Sequence, residues 1–403
     1  MQVVVIGLGN MGICVLAAAA KRTHGRNVYG IDLDPTAAFK RARHEPDVLE
    51  SYQTFVDAAD VPAADGRVFI LCVPTPVSDE GVIDYRIAES VCDKLSPLLN
   101  KQDVVICHGT LYVGGASHLA DQLGGKAEFV YMPVFLRAGR GVHDYLNPAR
   151  LIIGSTRPLG KTIEGYLDLM WPKPSGFAMQ YERLKPIPRF SVGFGEAEAL
   201  KLWHNGFMTV KVAFANELGE FCKRLRLNSQ EVFDALWSDE KALLSRSHLS
   251  PGGPYCGPCL SKDDISLVRA AGGSYYCELV AAARRSNDKH RGRLIDEAVR
   301  LGTGKTICVK NLTFKSGYDD PRRSAGIYAI WVLSCFGFLK VFGWDPILSA
   351  MSPEEYRLAC RGDNLALAME SKILGTDPND ADVILDMHAG AVLVLPKMPT
   401  SIK

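Results

Sequence analysis

The segment Cys256-Gly257-Pro258-Cys259-Leu260-Ser261-Lys262-Asp263 places a thiol, an ammonium and a carboxylate within one helical turn of chain. A thiol titrates near ~8.5 and attacks as the thiolate, so Lys262, three residues beyond Cys259, supplies a field that favours the charged form. Taken alone, the run reads first as a buried apolar cysteine ahead of a solvated helix start, and a covalent active site needs support from the rest of the chain. Cys256 and Cys259 also form a Cys-x-x-Cys pair; a regulatory disulfide is an alternative, while one isolated pair is too few for zinc.

A second chemical pattern opens the chain. The β-branched run from Gln2 to Ile6 is followed by Gly7-Leu8-Gly9-Asn10-Met11-Gly12 and an Ala-rich helix ending near Arg22. Gly7 permits a tight turn, Gly9 lets backbone approach a pyrophosphate, and Gly12 lets helix and strand pack closely at a helix N-terminus that favours anions. A second strand, 28–31, ends at Asp32, twenty residues beyond Gly12, where a carboxylate accepts from ribose hydroxyls. That acid repels a 2′-phosphate, so the expected cofactor is NAD rather than NADP.

A third pattern lies in the helical stretch from Glu196 to Arg224, where Glu198, Lys201 and Asn205 share a face. The ordinary explanation of such a face is a solvated stripe.

These groups need a scaffold, and composition bounds it. The chain has 403 residues, 47% of them apolar and 23% charged, which suggests a globular protein of two or three domains. Forty-six basic against forty-five acidic residues give a net charge of +1, too little for a field that wraps nucleic acid. Eleven irregularly spaced cysteines fit thiols in a reducing compartment, so a cytoplasmic location is expected. The apolar stretches 3–20 and 325–338 read as strand-loop-helix and as a buried helix, and no membrane partner is expected.

Further strand signals at 67–72, 103–107, 128–131 and 151–154 alternate with helical patterns such as 87–99, describing a parallel sheet with ligands at the carboxyl edges of its strands. Thr110, just past a strand end, falls where chemistry would occur. Long helices follow at 196–224, 229–237 and 278–301. A smaller α/β unit then carries strands at 306–309, 339–342 and 381–385, with a polar loop from Phe314 to Ser324.

The ordered set is more specific than its members. It comprises the glycine loop, Cys72-Val73-Pro74-Thr75-Pro76, Phe135-Leu136-Arg137, Asn147-Pro148-x-Arg150, Glu198-x-x-Lys201-x-x-x-Asn205, Cys259-x-x-Lys262-Asp263 and Phe314-Lys315-x-x-x-Asp319-Asp320-x-Arg322. Along nearly its whole length the chain resembles the UDP-glucose/GDP-mannose dehydrogenase family. The resemblance implies an α/β protein with an N-terminal Rossmann-like dinucleotide-binding domain (1–192), a central helical dimerisation region carrying the catalytic cysteine (193–300) and a smaller C-terminal α/β substrate domain (301–403). It implies oxidation of the C6 alcohol of a nucleotide sugar, or a similarly anionic sugar, to the carboxylate with NAD, in a homodimer built about the central helices.

It further implies that Cys259 attacks the aldehyde and that Lys201 and Asn205 stabilise the oxyanion, while Asp263 and Thr110 hold water and assist proton transfer. Cofactor contacts would be Gly7, Gly9, Asn10, Met11, Gly12, Asp32, Val73, Pro74, Thr75, Thr110, Lys262 and Arg322. Substrate contacts would be Phe135, Leu136, Arg137, Lys201, Asn205, Tyr255, Gly257 and Lys315; no metal is implied. The chain departs from the family where Pro-Glu-Phe-Leu-x-Glu-Gly becomes Pro133-Val134-Phe135-Leu136-Arg137-Ala138-Gly139, without either glutamate. A dehydrogenase that stops at the aldehyde and a non-catalytic dinucleotide sensor are the competing readings.

Overall fold

Gln2–Ile6 is buried along its whole length because the strand it forms, β1, is covered on both faces. Val3 and Val5 pack into one apolar cluster and Val4 and Ile6 into another, which is why the run is continuous rather than alternating. The computed structural model describes residues 1–36, 52–78, 81–173, 186–239, 248–315, 317–337, 340–374 and 376–395. These fall into two compact units, Met1–Trp203 and His204–Lys403.

In the first unit β1 is joined by β2 (Val28–Ile31), β3 (Thr54–Phe55), β4 (Arg67–Leu71), β5 (Val104–Cys107), β6 (Glu128–Tyr131), β7 (Leu151–Gly154) and β8 (Arg189–Val192). The sheet order is β3-β2-β1-β4-β5-β6-β7-β8, so the direction of winding reverses between β1 and β4. Such a reversal leaves a crevice at the carboxyl ends of the two strands. The helices include α1 (Asn10–Thr23), α2 (Arg86–Leu95), α3 (Gly115–Gln122), α4 (Gly141–Leu146) and α5 (Lys161–Met170). The expectation of a wholly parallel sheet is corrected at one place: β7 runs antiparallel to β6 through the pair Tyr131 and Gly154.

Helix α6 (Phe194–Leu225) contains the boundary between the units. The second unit continues with α7 (Ser229–Trp237), α8 (Leu260–Ala270) and α9 (Glu278–Gly302). Its sheet has the order β10-β9-β11-β12, formed by β9 (Thr306–Lys310), β10 (Lys340–Trp344), β11 (Val383–Asp386) and β12 (Ala391–Val394). Helix α10 (Ala325–Cys335) follows β9. The expected strand at 339–342 starts here at Lys340, and Leu339 and Phe338 lie outside the described residues. No described helix is long and apolar enough to cross a membrane.

Candidate functional site

The sequence-predicted cofactor residues of the first unit converge on the carboxyl edge of its sheet. Gly7 leaves β1 at φ +87°, and a Cβ there would lie 3.0 Å from Cys72 and Val73, which follow the neighbouring β4. Gly12, in the first turn of α1, would place a Cβ 1.9 Å from the Gly7 carbonyl oxygen. Only glycine allows that crossing of helix and strand. Gly9 differs, because a Cβ there meets no protein atom within 4 Å. Its missing side chain therefore clears space beside the helix N-terminus, the approach a pyrophosphate requires.

Asp32, at the end of β2, accepts hydrogen bonds from Leu8 N–H at 2.7 Å and Asp34 N–H at 3.0 Å. Its carboxylate thus fixes the glycine loop from the end of the neighbouring strand β2. Asn10 and Met11 are half-buried at the start of α1; after β4, Val73 and Thr75 are buried and Pro74 is exposed. Gly109 approaches Thr75, its ideal Cβ lying 3.3 Å from Thr75 Cγ2, and the half-buried Thr110 follows it. The helix N-terminus, the open space beside Gly9 and the carboxylate after β2 fit NAD.

Behind this edge His108 is 2% exposed. Its Nδ1 pairs with Met132 O at 2.6 Å and its Nε2 with Tyr145 Oη at 3.0 Å. Burial pushes its pKa down to about 4, against the opposing hydrogen bond to Met132.

The face of Glu198, Lys201 and Asn205 is not a solvated stripe. Glu198 is fully buried and accepts from Gly114 N–H at 2.8 Å and Ala116 N–H at 2.6 Å, holding the start of α3. Burial raises its pKa despite those two bonds. Lys201 donates to the Val134 carbonyl at 2.8 Å and lies 5.0 Å from the centroid of Phe135, whose ring Arg150 also approaches at 4.9 Å. Val134, which stands where the family carries a glutamate, thus offers Lys201 its main-chain carbonyl. Leu136 is half-buried, and Arg137 is bidentate to Asp144 at 2.7 and 2.8 Å. Asp144 is buried, yet Arg137 holds its pKa at about 2.

In the second unit Cys259 is exposed at the N-cap of α8, and its carbonyl accepts from Asp263 N–H at 2.9 Å. A helix N-terminus favours the thiolate. Asp263 is 1% exposed and joins two other predicted residues, accepting from Asn205 Nδ2 at 2.5 Å and from Lys262 Nζ at 2.6 Å. The ammonium expected to activate the thiol is therefore committed to Asp263. Arg322 supplies a second cation: burial opposes its charge, but Asp320 at 2.6 Å and the field of Cys259 raise its pKa.

Gly257 takes φ +89°, and a Cβ there would lie 2.5 Å from the Phe314 side chain; its N–H donates to Arg323 O at 3.1 Å. The loop of Phe314 and Lys315 is thereby packed on the cysteine loop. Lys315 is exposed and lies 5.7 Å from the Tyr318 ring centroid. Tyr255 is buried, with its hydroxyl donated to Asp264 at 2.7 Å. Cys256 packs against the C-terminal core, where burial raises its pKa, and neither Cys256 nor Cys259 is in a disulfide. Asp264 and Asn287, which engage Tyr255, were not singled out by the sequence; only the adjacency of Asp264 to Asp263 could have pointed to one of them.

Residues 1–164 match the model of the UDP-glucose/GDP-mannose dehydrogenase family, NAD binding domain, and residues 195–289 match that family's central domain. Similar curated proteins include a UDP-glucose 6-dehydrogenase of Haloferax volcanii, 28% identical over 94% of this chain and 91% of that protein. A GDP-mannose 6-dehydrogenase of Pseudomonas syringae pv. tomato is also 28% identical, over 85% of this chain and 80% of its own. Among solved structures, a UDP-glucose dehydrogenase from the archaeon Pyrobaculum islandicum is 25% identical with a TM-score of 0.75, covering 96% of this chain and 89% of that one.

Proposed function

The chain belongs to the UDP-glucose/GDP-mannose dehydrogenase family and is an NAD-dependent dehydrogenase, and we propose that it oxidises the C6 primary alcohol of a nucleotide-linked sugar to the carboxylate through a covalent bond to Cys259. The observation that carries the covalent step is the exposed thiol at the head of α8, one turn before a buried carboxylate bonded to Asn205 and Lys262.

Bound NAD would supply the hydride acceptor for each of the two oxidations. Gly9 and the start of α1 would receive its pyrophosphate and Asp32 its ribose. Cys259 Sγ adds to the aldehyde carbon, forming a C–S bond, while the carbonyl oxygen takes up a proton. Oxidation of this thiohemiacetal gives a thioester; water then adds to the acyl carbon, the C–S bond breaks, and the thiol returns. Lys201 and Asn205 are assigned to the developing oxyanion, and Asp263 with Thr110 to the water and its proton. Phe135, Leu136, Arg137, Gly257 and Lys315 are assigned to the sugar substrate, and Val73, Pro74, Thr75, Lys262 and Arg322 to the cofactor.

We assign the chain to the cytoplasm and to a homodimer through α6, where Phe207, Phe214, Phe221 and Leu225 are 52 to 59% exposed at spacings of seven, seven and four. These spacings set the four side chains on one face of the helix. NADH release from a panel of nucleotide sugars and simpler phosphorylated alcohols tests the substrate class. Turnover of at least one nucleotide sugar, with a carboxylate mass in the product, is expected; turnover confined to simple phosphorylated alcohols would overturn the nucleotide assignment.

A further inference from the structure

Cys259 lies within a stretch of chain that closes on itself. Tyr255, four residues before it, donates its phenolic O–H to Oδ2 of Asp264, five residues after it, at 2.7 Å. Asp264 is 1% exposed, and its second oxygen accepts from Arg284 of α9 at 3.0 Å. The backbone of Tyr255 is gripped by Asn287 of the same helix: Tyr255 N–H donates to Oδ1 at 2.8 Å, and Tyr255 C=O accepts from Nδ2 at 3.1 Å. One side chain satisfies both main-chain groups, as a neighbouring strand would. The adjacent Asp263 turns to different partners, Asn205 and Lys262, so these two neighbouring carboxylates of α8 are each tied down separately.

We propose that Tyr255 and Asp264 are positioning residues for the nucleophile, their hydrogen bond closing a ten-residue loop that fixes the Cys259 thiol at the N-terminus of α8. The proposal rests on Cys259 as the nucleophile of the reaction and revises the sequence expectation that Tyr255 contacts substrate. Its hydroxyl is already donated, and its ring is buried. A buried carboxylate with two donors is a strong anchor, because losing either donor leaves an acceptor site unsatisfied out of reach of water. Small displacements of a nucleophile are expensive in rate, since the reacting atoms must lie within ~3.5 Å in the attack geometry.

The variants Tyr255→Phe, Asp264→Asn and Asp264→Ala separate positioning from substrate binding. Phenylalanine removes only the hydroxyl, asparagine keeps an acceptor oxygen for the phenol, and alanine keeps none. Tyr255→Phe and Asp264→Ala are expected to lower kcat about tenfold with KM for NAD and for the sugar within about twofold, while Asp264→Asn stays within about threefold of the parent kcat. Alkylation of Cys259 by iodoacetamide, followed by peptide mass without any substrate, is expected to slow in Tyr255→Phe and recover in Asp264→Asn. A parent-like kcat and alkylation rate in Tyr255→Phe, or a loss expressed in the sugar KM alone, overturns the proposal. If Asp264→Ala does not fold, the other two variants decide. Full oxidation by Cys259→Ser would instead overturn the covalent reading, and the alkylation result is independent of that outcome.

Discussion

Cys259 and Lys262 stand as their spacing requires, yet the ammonium bonds Asp263 at 2.6 Å, so its charge is largely answered before it reaches the thiol. The helix N-terminus and Arg322 contribute the field in addition. The glycines divide in the same informative way between protein packing and ligand space. Gly9 is extended, at φ −67° and ψ −171°, and has open space where a Cβ would point. Gly9→Ala is therefore expected to change unfolding free energy by less than about 0.5 kcal/mol while weakening NAD binding tenfold or more, in thermal unfolding with and without NAD. Gly12→Ala, forced against the Gly7 carbonyl, is expected to cost about 3 kcal/mol in the absence of any ligand. Equal destabilisation by both changes would contradict the assignment of the space beside Gly9 to cofactor.

At the scale of elements, the strand ends do the positioning, and β1, β2, β6 and β7 have the bounds expected from the sequence. Those runs were legible because strands buried on both faces leave no polar alternation to misread. The strands that escaped are short or at an edge: β3 has two residues, and β8 and β12 are partly exposed edge strands. The antiparallel β7 was not legible because residue type does not encode the direction in which a strand enters a sheet. In the site, the glycine loop was legible since it answers to backbone geometry alone. Tyr255 with Asp264, and Glu198 with the start of α3, were not, because a buried carboxylate takes its partner from the fold.

The end of β5 also carries a pH dependence. His108 is held near pKa 4 when folded and has an ordinary value of 6.5 when exposed, so between those values the unfolded chain binds the additional proton. Stability from this group is intact above about pH 6.5 and falls by roughly 3 kcal/mol as pH drops to about 4. Urea unfolding across that range should show the slope, and His108→Gln, which cannot take up the proton, should flatten it; an unchanged slope would remove His108 as its source.

For the whole molecule, two compact units and one exposed apolar helix face frame the remaining expectations. Phe214→Glu with Phe221→Glu places charge on that face, and sedimentation is expected to show a shift from dimer to monomer with the fold retained; an unaltered dimer would locate the interface elsewhere. The chemistry of the molecule turns on whether hydrolysis survives with Val134 and Ala138 in place of the family's glutamates, where Lys201 donates to the Val134 main-chain carbonyl. The direct measurement is the amount of NADH formed from a limiting quantity of a turned-over nucleotide sugar, together with the product mass. Two NADH per sugar and a carboxylate are predicted; one NADH per sugar with free aldehyde would contradict the account.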